Sequence, residues 1–95
     1  MTALLNREEI QAKLSALTGW TLEGKVISMV KTFDGFPSAI AFVNTLVEPA
    51  EAAGHHPDIA ISYNRVTISL STHDAGGLTD QDLALAARIS QLAAA

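Results

Sequence analysis

The sequence predicts an α+β domain in which a four-stranded antiparallel sheet carries three helices packed on one face, in the order α-β-β-α-β-β-α. Two observations lead to this prediction. Apolar residues change from helical spacing to alternation and back along the chain, and the extended segments come in pairs separated by short turns. Paired segments of this kind form hairpins, and hairpins make a sheet antiparallel. We expect residues 1–95 to form a single domain.

The first half of this pattern begins with a helix. Asn6 can cap it and Glu9 stands at the capping-box position, and the helical spacing continues until Gly19. Two extended segments follow, "WTLE" and "KVISMVKTF", which are separated by Gly24. The second segment is apolar on both faces, which favours an interior strand over an edge strand.

The second helix is predicted to start at Asp34 and Pro37, because proline is tolerated in the first turn. Pro49 cannot donate a hydrogen bond to the carbonyl of Thr45, so we expect a kink or a brief break there. We expect the helical segment after Pro49 to end at Gly54. The apolar stripe predicted to face the core consists of Phe36, Ile40, Val43 and Val47, flanked by Ala39, Phe42 and Leu46.

The second hairpin is indicated by alternation that begins at Ile59 and shifts parity at Asn64, where we place the turn. The last helix is predicted to begin at Thr79, with Asp82 at the capping-box position. The apolar residues of the second strand of this hairpin are Val66, Ile68 and Leu70. Those on the inner face of the last helix are Leu85, Ile89 and Leu92.

Composition excludes several classes of function. The chain has no cysteine, which rules out disulfides, zinc–thiolate sites and cysteine nucleophiles and agrees with the cytoplasmic location that we expect. Ten acidic and six basic residues give a net charge of -4, and the lysines and arginines are scattered, so we expect no direct nucleic-acid binding. The sequence has no membrane-spanning apolar stretch and no basic region of a signal peptide, so we expect no membrane association.

The segment "EAAGHHPDIAISY" contains two adjacent histidines, His55 and His56. Adjacent side chains diverge by about 100° on a helix and by nearly 180° on a strand, so these two imidazoles are poorly placed to chelate one ion. Zinc enzymes more often use two histidines one helical turn apart plus a third ligand. A histidine-based metal site is therefore a weaker hypothesis than acid–base catalysis.

Glu51 precedes His55 by four positions. If the helix continues through Gly54, the carboxylate and the imidazole share one face, and the carboxylate can orient the ring. The alternative is a solvated helix end with a histidine near the last carbonyls. Spacing alone favours that alternative.

His73 extends a polar row on the last strand, formed by Thr67, Ser69 and Ser71. A lone histidine at the end of a strand is usually only exposed. However, His55 and His73 stand nine residues before and after Asn64, so hairpin pairing tends to bring them together. Histidine side chains titrate near neutral pH, and two of them in one cleft can serve as acid and base.

Residues 51–82, "EAAGHHPDIAISYNRVTISLSTHDAGGLTDQD", resemble the signature region of the pterin-4a-carbinolamine dehydratases. An acidic residue, His-His-Pro, Tyr-Asn-basic-Val, Thr-His, Gly-Leu-Thr and Asp occur in the family's order and spacing. The Gly19-Trp20 pair and the phenylalanine-rich start of the second helix also agree. The resemblance covers nearly the whole chain.

This resemblance implies a hydro-lyase that needs no metal or cofactor. The family removes water from 4a-hydroxytetrahydropterin and yields quinonoid dihydropterin, in the recycling of tetrahydrobiopterin. By position, His55 and His73 are implied as acid and base in either order, with Glu51 orienting His55. The implied substrate-binding residues are His56, Pro57 and Thr72. Asp82 also matches the pattern, and we favour a helix-capping role for it.

The resemblance also concerns partners. Family members assemble as dimers or tetramers, so we expect a homodimer or a homotetramer with a pterin as substrate. Some animal members also act as dimerisation cofactors for homeodomain transcription factors, which makes a binding module the alternative to an enzyme. No partner surface is recognisable in the sequence.

Overall fold

The computed structural model describes residues 4–94. Its helices and strands are α1 Arg7–Leu14, β1 Trp20–Glu23, β2 Val26–Thr32, α2 Phe36–Thr45, α3 Val47–Ala53, β3 Asp58–Ser62, β4 Arg65–Leu70 and α4 Asp80–Ala94. The four strands form one antiparallel sheet in the order β1-β2-β4-β3. The predicted fold class and order of elements are confirmed, with the second helix divided into α2 and α3.

The core lies between one face of the sheet and the helices. Met29 of β2 pairs with Ile68 of β4, and both side chains are buried. The predicted inner face of α4 packs against this surface, and the indole Nε1 of Trp20 donates to Ser90 Oγ at 2.7 Å. Burying each large apolar side chain adds about 1.5–3 kcal/mol to the stability of the folded state, and this burial holds the sheet and the helices together. The core residues shared by the two interior strands and α4 are Ile27, Met29, Val66, Ile68, Leu70, Leu85 and Ile89.

The first helix has the predicted cap. The side chain of Asn6 accepts from the Glu9 N–H at 2.8 Å, and the Asn6 N–H donates to Glu9 Oε1 at 2.9 Å. The helix ends at Leu14, earlier than the sequence indicated, and Gly19 lies in the turn before β1 with φ +93°. β2 pairs with β1 and β4, so its predicted interior position is confirmed.

The second helix differs from the prediction in two respects. The break falls at Leu46 rather than at Pro49, so Pro49 lies in the first turn of α3. Backbone N–H groups in a first turn have no partner within the helix, so the N–H that proline lacks costs no hydrogen bond there. The predicted core-facing stripe is wrong at its two ends, where Phe36 and Val47 are exposed, while Val43 packs against the core. The ring of Phe42 packs on Phe33 with centroids 5.1 Å apart, and the buried face of this region is Ala39, Phe42, Leu46 and Ala50.

The β3–β4 hairpin turns at Tyr63 and Asn64, as predicted, and Ser62 pairs with Arg65. Asn64 anchors the turn by donating from Nδ2 to the Phe33 carbonyl at 2.9 Å. β3 is an edge strand, and all its residues are exposed. Within residues 4–94, no helix has both the length and the apolar character needed to cross a membrane.

Candidate active site

The candidate site lies at the end of the β3–β4 hairpin that is remote from its turn. Asp58 pairs with Ser69 near this end, so the segment before β3 and the segment after β4 run side by side. Between these segments is a cleft of about 430 Å³, which we call the histidine cleft. Its lining residues are Gly54, His55, His56, Ser71, Thr72, His73, Asp74 and Gln81. The structure therefore brings all three histidines of the chain to one cavity.

His55 is placed by the end of α3. Gly54 adopts the left-handed conformation with φ +62°, and the His55 N–H donates to the Ala50 carbonyl at 3.1 Å, which closes the helix. The chain then turns away from the helix axis. His55 Nε2 lies 2.5 Å from Asp82 Oδ1, and the side chains of His55 and Asp82 are only 11% and 0% exposed.

Asp82 is the centre of a buried hydrogen-bond network. Its Oδ2 accepts from the Thr79 N–H at 2.9 Å and from Thr72 Oγ1 at 2.7 Å, and the hydroxyls of Thr72 and Thr79 are 2.8 Å apart. The Thr79 contact is the capping interaction predicted for Asp82 at the start of α4. Asp82 therefore caps a helix and also holds His55.

This network favours one hydrogen-bonding role for the His55 ring. An ionised Asp82 can only accept, so with Asp82 in that form the His55 tautomer that satisfies the contact carries its proton on Nε2. In the neutral ring, Nδ1 is then the nitrogen with the free lone pair. A buried carboxylate in contact with the ring also stabilises the imidazolium that forms when Nδ1 takes up a proton.

Glu51 contacts His56 instead of His55. Its Oε2 meets His56 Nε2, and the side chains of the pair are 67% and 65% exposed. The expected pairing of Glu51 with His55 is wrong, because α3 ends at Ala53 and the left-handed Gly54 removes His55 from the helical face. The divergence of the two adjacent histidines is as predicted, since each ring faces a different carboxylate.

His73 begins a short 3-10 turn, His73–Ala75, and its side chain is exposed. The turn is held at its base, where the Thr72 N–H donates to the Gly77 carbonyl at 2.9 Å. Gly77 is buried against the N-terminal segment, and a Cβ on it would lie 3.1 Å from Leu4 Cδ2. The loop that carries His73 is therefore packed against the rest of the fold.

The other predicted site residues divide between the histidine cleft and a neighbouring groove. Thr72 lines the cleft, although its hydroxyl is engaged by Asp82 and Thr79. Pro57 and Glu51 line the groove instead, and His56 lines both cavities. The sequence did not single out Asp74 or Gln81 as cleft residues. Their polar character alone does not distinguish them from other exposed loop residues.

The arrangement of the acidic and histidine side chains bears on metal binding. Among the residues that the structure describes, no group of three or more His, Cys, Asp or Glu side chains is arranged to hold a metal ion. The expectation of a reaction without metal stays a prediction.

Comparison with known proteins identifies the family. The family model for pterin 4 alpha carbinolamine dehydratase matches residues 3–92. A protein of Trichormus variabilis named "Putative pterin-4-alpha-carbinolamine dehydratase" is 60% identical over 92 residues, which covers 97% of this chain and 99% of the relative. A protein of the same name from a Cyanothece species is 61% identical, with coverage of 97% and 95%.

Solved structures agree in fold. A transcriptional coactivator/pterin dehydratase from Brucella melitensis superposes with a TM-score of 0.89 at 33% identity, covering 94% of this chain and 97% of that one. A pterin dehydratase-like protein described as a RuBisCO assembly factor in the alpha-carboxysome gives a TM-score of 0.67 at 28% identity, covering 79% and 89%. On the family match and the relatives' identity over nearly the whole length, this chain belongs to the pterin 4 alpha carbinolamine dehydratase family.

Proposed function

We propose that this chain is a hydro-lyase that converts 4a-hydroxytetrahydropterin to quinonoid dihydropterin and water by histidine general acid–base catalysis. The observation that carries the proposal is the histidine cleft, in which three imidazoles meet and one of them is held by the buried Asp82. Membership of the dehydratase family supports the same reaction.

The reaction needs one acid and one base and no net change in oxidation state. The C4a–O bond breaks as the acid protonates the departing hydroxyl, which leaves as water. The base removes the proton from N5, and the nitrogen electrons form the C4a=N5 double bond. Imidazoles suit both roles because they exchange protons near neutral pH.

We assign the base to His55 and the acid to His73. His55 presents a free Nδ1 lone pair when Nε2 donates to Asp82, and the carboxylate stabilises the charge that the ring acquires. His73 is exposed on its short turn and can exchange its proton with water. His56, Pro57 and Thr72 bind the substrate, and Glu51 acts by orienting His56.

The test is a dehydration assay with synthetic 4a-hydroxytetrahydropterin, using purified protein treated with a chelator. We expect full activity after chelation, because the proposed acid and base are side chains. Each single variant, His55→Ala or His73→Ala, should lose about 100-fold in kcat, and the double variant should fall to the uncatalysed rate. His56→Ala should chiefly raise KM. Full activity in the double variant, with an unchanged circular dichroism spectrum, would refute the assignment.

We further propose that the protein works in the cytoplasm in tetrahydropterin recycling and assembles as a homodimer or homotetramer. The exposed edge strand β3 supports assembly, since its outer backbone groups are free to pair with another strand. Analytical ultracentrifugation of the purified chain decides this point, and a monomer at micromolar concentration would contradict it. We propose no direct binding to nucleic acid or membrane, in keeping with the net charge of -4.

A second candidate function is binding to a partner protein. One similar structure is described as a transcriptional coactivator and another as a RuBisCO assembly factor. In this chain, the exposed apolar side chains of Val47 and Tyr63 favour such contacts. A protein that lacks dehydratase activity but forms a stable heterologous complex in a pull-down would support this function over the enzyme.

A further inference from the structure

The two residues before Asn6 are bound to the segment that leads into α4. Leu4 forms an antiparallel β-bridge with Thr79, and the Leu5 N–H donates to the Leu78 carbonyl at 2.9 Å. The capping box at Asn6 fixes the other end of this segment at the start of α1. We call residues 4 and 5 the strap, because they connect α1 to the residues between β4 and α4.

The strap also packs on the base of the turn that carries His73. A Cβ added to the buried Gly77 would lie 3.1 Å from Leu4 Cδ2, so the side chain of Leu4 covers this glycine. Thr72 and Gly77 form an antiparallel β-bridge across the base of the turn, in which the Thr72 N–H donates to the Gly77 carbonyl at 2.9 Å. Leu4 therefore contacts one of the two residues that close the turn.

The residues that the strap contacts also support His55. The Thr79 N–H donates to Asp82 Oδ2 at 2.9 Å, and Asp82 Oδ1 lies 2.5 Å from His55 Nε2. Leu78 and Thr79 are 2% and 0% exposed, so the strap is bound to residues of the interior. The strap is thus connected to both of the proposed catalytic histidines.

We propose that Leu4 and Leu5 are positioning residues, which order the turn at His73 and so hold this imidazole in reach of a substrate bound at His55; the inference rests on the proposed dehydratase function. The side chain of His73 is exposed, so its position depends on the backbone of the turn. The side chain of His55 is only 11% exposed and contacts Asp82. Acid–base catalysis requires both groups to be in place at once. The strap therefore matters most for His73.

The hydrogen bonds inside the turn are local. The N–H groups of Ala75 and Gly76 both donate to the Thr72 carbonyl, at 3.1 and 3.0 Å. Short loops of this kind open locally at a smaller free-energy cost than the core, and contact with a second segment raises that cost. Removing one hydrogen bond to the strap should therefore increase the fraction of molecules in which the turn is open.

Two substitutions of Leu5 isolate its hydrogen bond to Leu78. Leu5→Pro removes the N–H and places a ring carbon against the Leu78 carbonyl, while the extended backbone that proline favours in the preceding residue is compatible with the bridge of Leu4. Leu5→Ala keeps the N–H. The side chain of Leu5 packs against the core, and both variants lose most of that contact. The difference between them therefore reports the hydrogen bond.

Amide hydrogen exchange and steady-state kinetics are measured on both variants in the folded state. We expect the Ala75 and Gly76 amides to exchange about tenfold faster in Leu5→Pro than in Leu5→Ala, which is the effect of one lost hydrogen bond. The Phe33 amide, which is hydrogen-bonded near the β3–β4 turn and remote from the cleft, should exchange equally in both. In the dehydration assay, kcat should be about tenfold lower in Leu5→Pro with KM within about twofold, because the acid is displaced while the substrate-binding residues outside the turn stay in place.

A second pair of variants tests the side chain of Leu4 and does not depend on a proline. Leu4→Ala uncovers Gly77 but keeps every backbone group of the strap. Val30→Ala is the matched control, since Leu4 and Val30 are 54% and 50% exposed and Val30 lies in β2, outside the histidine cleft. Leu4→Ala should raise the exchange rates of the turn and lower kcat, as Leu5→Pro does, and Leu4→Met should restore both. Val30→Ala should change neither.

The outcomes separate the strap from the dehydratase. Faster exchange of the turn together with lower kcat in Leu5→Pro and Leu4→Ala, each against its control, supports the inference. Equal exchange rates in variant and control overturn it, and so does faster exchange with unchanged kcat, because the order of the turn would then not matter for the reaction. If Leu5→Pro does not fold, the pair Leu4→Ala and Val30→Ala decides in the same way. Absence of dehydration in the parent chain is the failure of the proposed function, and the exchange rates alone then support or overturn the ordering of the turn by the strap.

Discussion

The two adjacent histidines are each paired with a carboxylate, and the two pairs are built in opposite ways. His55 and Asp82 come from segments 27 positions apart and are almost completely buried. His56 and Glu51 are five positions apart, and about two thirds of each side chain is exposed. Water and ions screen the exposed pair, whereas the buried pair interacts strongly and its carboxylate is surrounded by protein donors.

The comparison shows how one histidine can be rigid while its neighbour adapts. His55 shares its carboxylate with Thr72 and Thr79, so its ring has one favoured orientation. His56 contacts the exposed Glu51 of the preceding helix, so its ring is less constrained than that of His55. Proton transfer requires fixed geometry, and substrate binding benefits from adjustment. The two pairs match the roles proposed for the two rings.

The largest expected difference between the pairs is in stability. Asp82→Ala removes one acceptor from three donors in a buried site, so we expect the free energy of unfolding to fall by about 3 kcal/mol. Glu51→Ala should change it by less than about 1 kcal/mol, because exposed pairs contribute little. Urea unfolding followed by circular dichroism measures both. Equal losses would show that burial does not distinguish the pairs.

The next largest effect is on catalysis, tested by replacing each carboxylate with the amide of the same shape. Asp82→Asn removes the charge that stabilises the His55 imidazolium, so kcat should fall about 100-fold with KM nearly unchanged. Glu51→Gln acts on His56 and should raise KM a few-fold with kcat nearly unchanged. Steady-state kinetics on the folded variants separate the two effects. A fall in kcat for Glu51→Gln alone would reverse the proposed roles.

The smallest effect concerns the support of Asp82. Thr72→Val keeps the shape of the side chain but removes the hydroxyl that donates to Asp82 Oδ2 and contacts Thr79. We expect a loss of about 1–2 kcal/mol in unfolding free energy. Thr67→Val is the matched control, because Thr67 is half-buried on the sheet face away from the helices and should change stability by less than about 0.5 kcal/mol. Similar losses in both variants would contradict the proposed importance of the network.

Much of the fold could be predicted because its signals are local. The Asn6 cap, the strand pair around Gly24 and the hairpin turn at Asn64 depend on neighbouring residues only. The presence of His55 and His73 in one cleft also followed from the hairpin, although the register is centred between Tyr63 and Asn64 and, continued past β3, sets His55 level with Thr72 rather than with His73. Local patterns were sufficient for the first helix cap, the strand pairs and their turns.

The errors arose where the sequence offered two equivalent solutions. The second helix is apolar around most of its circumference, so spacing could not show that Phe42 faces inward and that Val47 is exposed. Glu51 was assigned to His55 on the assumption that the helix passes through Gly54, and the left-handed turn at that residue changes the partner. The contact of Asp82 with His55 joins distant segments, and no local period reveals it.

Asp82 has a consequence for how this site can evolve. The same carboxylate begins α4, binds the segment after β4 through Thr72 and contacts the proposed catalytic base. A substitution of Asp82 that changes the orientation of the base therefore also removes the hydrogen bonds that connect the sheet to α4. We therefore expect selection for stability to retain Asp82 even in a descendant that has lost its substrate. A relative that has changed its function can thus retain the polar framework of the site, and this carboxylate alone is not evidence of activity.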